Sequence, residues 1–149
     1  AGMRGCDVDK IARDIINEAG EQGCFGHGLG HAVGIEIHEN PRYSPTCESV
    51  VKAGMMMTIE PGIYLEGKFG IRTENLMLCV KDVKTEFGQF MKFENLTWVP
   101  IDLDTIDVSL MEGRDRELLN AYHKGVFKKL SPYMTEEEKA WLTEATRAI

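Results

Sequence analysis

The segment from Gly26 to His38 constrains the fold of this 149-residue chain more than any other part of it. It holds three of the four histidines, which are His27, His31 and His38, and glycines are interleaved with them. Glycine lets a backbone pass close to an ion or a substrate. Histidine is the side chain best suited to proton transfer and metal binding near neutral pH. The combination predicts a functional site and not a piece of packed core.

Two glutamates extend this pattern. Glu60 closes the apolar run 55–59 and is followed by Pro61 and Gly62, and Glu74 lies just before the apolar run 76–80. Either glutamate alone would be interpreted as a solvated surface residue. One imidazole and two carboxylates from separate strands would instead form an oxygen-rich metal site. Such a site suits manganese, cobalt, zinc or iron better than copper or a structural zinc.

Three motifs stand in a fixed order: His27 to His31, then Glu60 to Gly62, then Gly70 to Glu74. They resemble the motifs of the pita-bread metallopeptidases, the family of aminopeptidase P, prolidase and methionine aminopeptidase. This resemblance covers residues 26–80. It implies an α+β fold that corresponds to the C-terminal half of the pita-bread (creatinase/aminopeptidase) fold.

The tail carries a second, narrower resemblance. Residues 93–102, 119–123 and 141–146 are similar to the C-terminal extension of aminopeptidase P enzymes, which prolidase and methionine aminopeptidase lack. We therefore expect residues 1–100 to form the C-terminal part of the metallopeptidase catalytic domain. Residues 101–149 are expected to form a helical C-terminal extension.

The family resemblance implies a role for each motif residue. The residues that match catalytic positions are His27, His38, Glu60 and Arg72, and those that match metal ligands are His31, Glu60 and Glu74. His27 and His38 match the substrate-side histidines and would hydrogen-bond the scissile peptide. Glu60 would also act as general base or proton shuttle, and Glu74 would bridge two metals. Arg72 is expected to orient a ligating carboxylate. Two divalent metal ions are thereby implied, with manganese favoured by family precedent and cobalt or zinc as alternatives.

The function that the two resemblances favour is a metal-dependent Xaa-Pro aminopeptidase, which releases an N-terminal residue that precedes proline. Prolidase, which cleaves Xaa-Pro dipeptides, is the nearest alternative, and the tail argues against it. Methionine aminopeptidases usually lack a histidine at the position of His27. A non-catalytic binding module on the same fold is the alternative from another class, although relatives of that kind typically lose ligands.

The family uses five metal ligands, and two of them are aspartates on a hairpin well upstream of the histidine motif. Only thirty residues precede His31, and their aspartates fall in a predicted helix. We therefore expect the chain to be the C-terminal part of a longer enzyme and to lack peptidase activity alone. Half of such a sandwich would expose apolar sheet surface, which favours a homodimer or higher self-association.

Composition excludes several classes of partner. The net charge of −7 argues against nucleic-acid binding, and the apolar runs are too short to span a membrane. Four cysteines are scattered without Cys-x-x-Cys spacing, which is typical of free thiols in a reducing cytoplasm. The expected partners are proline-containing peptides, and the expected location is cytoplasmic.

Periodicity predicts the remaining elements. Helices are expected over Asp7–Ala19 with Asp7 as its cap, over 115–130, and from a capping box at Thr135. The segment 40–47 holds two prolines and is expected to be a loop. Strands are expected over 33–38, 55–59, 63–65, 71–80 and 87–93.

Overall fold

The structure is a computed structural model that describes residues 2–149. It forms two compact units, and the boundary between them lies between Thr97 and Trp98. The elements in chain order are α1 (Gly5–Glu18), β1 (Gly30–Ala32), β2 (Glu39–Tyr43), β3 (Met56–Ile59), β4 (Gly62–Leu65), β5 (Phe69–Arg72), β6 (Asn75–Thr85), β7 (Gly88–Asn95), α2 (Gly113–Leu130) and α3 (Glu136–Ala145), with short 3₁₀ turns at Leu103–Thr105, Val108–Leu110 and Ser131–Tyr133.

The first unit is built on a five-stranded antiparallel sheet in the order β2-β1-β3-β6-β7. The hairpin of β4 and β5 forms a separate two-stranded sheet. Helix α1 contributes partly buried side chains to the core of this unit. The buried members of that core are Phe25, Leu29, Ala32, Tyr43 and Met57.

Helix α1 confirms the helix predicted near the start of the chain, but the predicted cap is wrong. The N-cap residue is Arg4, and Asp7 is the third helical residue. The Asp7 carboxylate accepts hydrogen bonds from the backbone and the side chain of Arg4, and these bonds lower the pKa of Asp7 to about 2. A carboxylate in the first helical turn is also favoured by the helix dipole.

The strand predicted over 33–38 is wrong. Residues 34–38 form bends, and the side chains of Ile35 and Ile37 are exposed to solvent. The Val33 N–H still donates to the Met56 carbonyl oxygen of β3 at 3.1 Å, but the Gly34 N–H donates to the Glu36 carbonyl oxygen at 3.1 Å, so the chain turns back on itself after Val33. Strand β2 begins directly afterwards and includes a cis peptide bond before Pro41, where a loop was predicted.

The long strand predicted over 71–80 is two strands. The chain leaves β5 after Arg72 and enters β6 at Asn75, which belongs to the other sheet. Between them, the Thr73 N–H donates to the carbonyl oxygen of Pro61 at 3.3 Å. The predicted strands at 55–59, 63–65 and 87–93 are confirmed as β3, β4 and β7 to within a few residues at each end.

The second unit begins at Trp98 and is mostly helical. The predicted capping box at Thr135 is confirmed, and α3 follows it. His123 on α2 is fully buried, and its Nε2 accepts a hydrogen bond from the Ile101 N–H at 3.0 Å. None of the helices in the described part of the chain has the length and apolar character needed to cross a membrane.

Candidate active site

The histidine segment is anchored to α1 by an ion pair. Asp9 is 1% exposed, and its two carboxylate oxygens accept hydrogen bonds from Arg13 at 2.9 and 3.0 Å. The Leu29 N–H also donates to Asp9, at 2.9 Å. Arg13 in turn donates to the carbonyl oxygens of Phe25 and His27. One buried pair therefore fixes the backbone on both sides of the first motif histidine.

A close backbone approach then brings β1 against β3. A Cβ atom at Gly30 would overlap the carbonyl oxygen of Thr58, so only glycine permits this spacing. The Thr58 hydroxyl accepts from the His31 N–H at 3.0 Å and donates to the Glu60 carboxylate at 2.9 Å. The glycine and the threonine therefore place His31 and Glu60 side by side.

His31 and Glu60 form the centre of the site. His31 Nε2 lies 3.2 Å from Glu60 Oε1, and each side chain is 11% exposed. His31 Nδ1 lies 3.0 Å from the Ala32 carbonyl oxygen. Because a carbonyl oxygen only accepts, Nδ1 carries a proton, and Nε2 of the neutral ring presents a lone pair to Glu60. Two acceptors at this distance require a proton or a cation between them, which is the chemistry expected of a metal-ligand pair.

His38 is held beside this pair by its loop. Its ring centroid lies 4.5 Å from that of His31. The Glu39 carboxylate accepts a hydrogen bond from the Glu36 N–H at 2.9 Å and fills the space that a side chain at position 34 would need. The turn at residues 34–38, where a strand was predicted, therefore directs His38 to the site.

His27, Tyr64 and Arg72 form a hydrogen-bonded chain along one side of the site. His27 Nδ1 lies 2.8 Å from the Gly28 carbonyl oxygen, so the neutral ring accepts at Nε2 from the Tyr64 hydroxyl, which is 2.8 Å away. Arg72 Nε donates to the same hydroxyl at 2.7 Å, and this bond raises the pKa of Arg72. Arg72 Nη1 also lies 3.8 Å from Glu60 Oε2.

Tyr64 also explains two glycines of the motifs. A Cβ atom at Gly62 would lie 2.6 Å from the Tyr64 hydroxyl oxygen, and one at Gly70 would lie 2.8 Å from the Tyr64 ring. Tyr64 and Gly70 are directly paired in the β4–β5 hairpin. The glycines beside Glu60 and Arg72 thus make room for the tyrosine that bridges His27 and Arg72.

One cavity of about 310 Å³ collects most of the predicted site residues. Five of the six, all except Glu74, line it. Arg42 and Ser44 also line it and were missed by the sequence analysis, because only the pairing of β2 with β1 brings them there. Tyr64 was missed for the same reason, since its contacts are made across strands. The lining residues are His27, Gly28, Gly30, His31, His38, Arg42, Ser44, Glu60 and Arg72.

Glu74 lies outside this cavity and is exposed. Within residues 2–149, no three histidine, cysteine, aspartate or glutamate side chains stand close enough together to hold a metal ion. The nitrogen of His31 and the oxygen of Glu60 fit a divalent metal such as manganese, cobalt or zinc. They supply part of a coordination shell, and the role of Glu74 stays a prediction.

Comparison with known proteins gives matches over the whole chain. The model of metallopeptidase family M24 matches residues 1–81, and that of the C-terminal region of peptidase M24 matches residues 89–149. Aminopeptidase P1 of Arabidopsis thaliana is 35% identical over 99% of this chain and 24% of its own length. The chain therefore spans about a quarter of the length of the curated relatives that it matches.

Solved structures give the same result. The X-prolyl aminopeptidase of Caenorhabditis elegans, described as a cytosolic enzyme with a di-nuclear active site, superimposes with a TM-score of 0.85 and 34% identity over 99% of this chain and 25% of its own. Prolidase from Pyrococcus furiosus matches with a TM-score of 0.51 and 48% identity over 60% of this chain and 25% of its own. These matches confirm the predicted fold class. Since the first family model covers more than half of the residues, the chain belongs to metallopeptidase family M24.

Proposed function

We propose that the polypeptide containing this chain is a metal-dependent Xaa-Pro aminopeptidase, a hydrolase that releases an N-terminal residue preceding proline. The observation that carries this proposal is the convergence of three histidines, Glu60 and Arg72 on one cavity. Relatives with this name align with nearly the whole chain. The prolidase from P. furiosus aligns with 60% of it.

His31, Glu60 and Glu74 are the residues that we propose to hold two divalent metal ions. Manganese is our first choice, with cobalt or zinc as alternatives. When bound, such a pair polarises a carbonyl group and lowers the pKa of a water molecule. The description of the C. elegans enzyme as di-nuclear supports a pair. Because residues 2–149 hold no three-ligand group, we expect the isolated chain to bind metal weakly and to be inactive.

The chain's own side chains provide proton transfer and substrate binding. Glu60 is the general base of our proposal, since its Oε1 accepts from the Thr58 hydroxyl and its Oε2 faces Arg72. A carboxylate held in this way can take a proton from the attacking water molecule. His38 makes no hydrogen bond within residues 2–149, so its ring is free to bind a peptide carbonyl oxygen.

His27 needs a change of partner to act on the substrate. Its two ring nitrogens are bonded to the Gly28 carbonyl oxygen and the Tyr64 hydroxyl. If Tyr64 turns away, Nε2 becomes an acceptor for a peptide N–H while Nδ1 keeps its proton. Until the substrate binds, Tyr64 and Arg72 would hold the ring in place. We propose this exchange as the binding step of His27.

Prolidase remains the second candidate because of Arg42. This residue lines the same cavity as the histidines, and guanidinium groups pair well with carboxylates. The free carboxylate of an Xaa-Pro dipeptide would lie next to the residue after the scissile bond. A tripeptide places an amide there and its carboxylate one residue further away. A non-catalytic binding module is the third candidate, and the complete set of motif residues weighs against it.

Substrate length separates these candidates. The polypeptide containing this chain would be assayed with Gly-Pro-x tripeptides, the Gly-Pro dipeptide and Met-Ala-x peptides, with and without manganese. Metal-dependent release of glycine from the tripeptide is the expected result. Cleavage of the dipeptide alone would establish prolidase, and no cleavage with any metal would favour the binding module.

Two variants test the assigned roles. His31→Ala should lose both bound metal and activity. Tyr64→Phe should keep its metal content while kcat/KM falls about tenfold, because it breaks two hydrogen bonds but touches no proposed ligand. Asp14→Asn, at an exposed carboxylate on α1, is the matched control and should leave activity unchanged. Full activity of Tyr64→Phe would contradict the positioning role.

The remaining parts of the proposal concern partners and location. We propose proline-containing peptides as substrates, self-association as a homodimer or larger, and no binding to nucleic acid or membranes. We also propose a cytoplasmic location, which the description of the C. elegans enzyme as cytosolic supports.

A further inference from the structure

Strand β7 is the last strand of the five-stranded sheet, and the residues described by the structure place no further strand beside it. The Leu96 N–H donates to the Leu76 carbonyl oxygen at 2.8 Å. This bond shows which residue pairs between β6 and β7 are the hydrogen-bonded ones. In an antiparallel pair, hydrogen-bonded and non-hydrogen-bonded positions alternate. Glu94 and Lys92 lie two and four residues before Leu96 in the sequence. Their backbone N–H and C=O groups therefore also point towards β6.

The odd-numbered residues of β7 direct their backbone groups the other way. Met91, Phe93 and Asn95 present N–H and C=O groups to the open edge of the sheet. The Phe93 side chain is 41% exposed, and Lys92 and Glu94 are exposed as well. An open edge of this kind is a template for another strand.

We propose that β7 pairs antiparallel with β7 of a second copy of this chain, with Phe93 opposite Phe93. This register aligns the free N–H and C=O groups of Phe93 with those of its counterpart. It also places Lys92 of each copy opposite Glu94 of the other. These two residues occupy non-hydrogen-bonded positions, where cross-strand side chains approach most closely. The pairing gives an interface to the self-association proposed above, and it is independent of the proposed peptidase activity.

Charge selects this register over its neighbours. Hydrogen bonding across the new edge requires odd residues to face odd residues, so alternative registers shift the pairing in steps of two. One shift places Lys92 opposite Lys92, and the opposite shift places Glu94 opposite Glu94. Like charges directly opposite each other destabilise a sheet. Only the register centred on Phe93 gives two attractive pairs.

The test uses the 149-residue chain and two charge reversals, with self-association measured by sedimentation velocity over a range of concentrations. Lys92→Glu and Glu94→Lys each create like-charged pairs across the two-fold axis. Each should therefore raise the dissociation constant of the dimer at least about tenfold. An equimolar mixture of the two variants should recover association as a heterodimer. In that pairing both positions of one chain are acidic and both positions of the other are basic, so opposite charges face each other again.

A control removes a contact within the chain. Lys92 also pairs with Asp82 at 3.5 Å, so Lys92→Glu disturbs that exposed contact too. Asp82→Asn breaks the same contact but keeps the charges at positions 92 and 94, and it should dimerise like the parent chain. Recovery in the mixture cannot arise from misfolding, which would persist on mixing. A monomeric parent chain, unchanged association of either variant, or a mixture that stays monomeric would each overturn the proposal.

Discussion

Replacing Asp9 by asparagine should destabilise the first unit by about 3 kcal/mol. The carboxylate is 1% exposed and holds Arg13 through two charged hydrogen bonds. Removing one partner of a buried ion pair costs about 3–5 kcal/mol, because the other charge is left without compensation. The Arg13 side chain is 25% exposed, so water offsets part of this loss and the lower end of the range applies. Asparagine can still accept the Leu29 N–H.

The assay must report on the first unit alone. Both tryptophans, Trp98 and Trp141, lie in the second unit, so tryptophan fluorescence follows the wrong part of the chain. Amide hydrogen exchange measured by mass spectrometry on peptides from residues 2–97 follows the right part. A loss of about 3 kcal/mol corresponds to about a hundredfold faster exchange of the most protected amides.

Asp14→Asn on the same helix is the matched control. Asp14 pairs with Lys10 at 2.6 Å, but both side chains are largely exposed. An exposed helical pair of this kind stabilises by about 0.3–0.5 kcal/mol. The reasoning would be refuted if Asp9→Asn cost less than about 1 kcal/mol, or no more than Asp14→Asn.

Three other substitutions have outcomes set by local contacts. Gly30→Ala should cost about 3 kcal/mol in the same exchange assay, because its methyl group overlaps the Thr58 carbonyl oxygen, whereas Gly26→Ala has open space and should be neutral. Thr135→Ala removes the cap of α3 and should cost about 1 kcal/mol by urea unfolding followed through tryptophan fluorescence. Burial lowers the pKa of His123, so below its ordinary value of 6.5 the unfolded chain gains a proton that the folded chain resists. The free energy of unfolding of the second unit should therefore fall with pH below 6.5, by up to about 1.4 kcal/mol per pH unit, and this part of the dependence should vanish in His123→Gln.

The spacing of apolar residues predicted some helices and strands well and failed for others. Strand β7 and helix α2 lie where the alternation and the helical spacing of apolar residues predict them. At residues 33–38 the same alternation failed. There the Glu39 carboxylate accepts a hydrogen bond from the Glu36 N–H and stabilises a turn, and the side chains of Ile35 and Ile37 are exposed to solvent. Periodicity measures which side chains alternate, but it cannot show whether a neighbouring strand exists.

The predicted site residues that the structure brings together are those that lie in linear motifs, and their roles stay predictions. His31 and Glu60 are the pair that the motifs predicted, and they stand 3.2 Å apart. Tyr64 and Arg42 lie in no motif that was recognised, and they reach the site through strand pairing. Long-range register is set by turns and by packing, so a single sequence does not reveal it.

The geometry of Tyr64 changes how the two later motifs should be understood. Their charged residues, Glu60 and Arg72, line the cavity, whereas their glycines make room for the tyrosine between them. Because its ring covers Gly62 and Gly70, its hydroxyl is fixed where His27 and Arg72 can both reach it. A larger residue at either glycine would displace the hydroxyl and so break the hydrogen bonds through which Tyr64 joins His27 to Arg72. The spacing of the motifs therefore reflects the packing of one aromatic side chain, in addition to any constraint that the proposed metal site imposes.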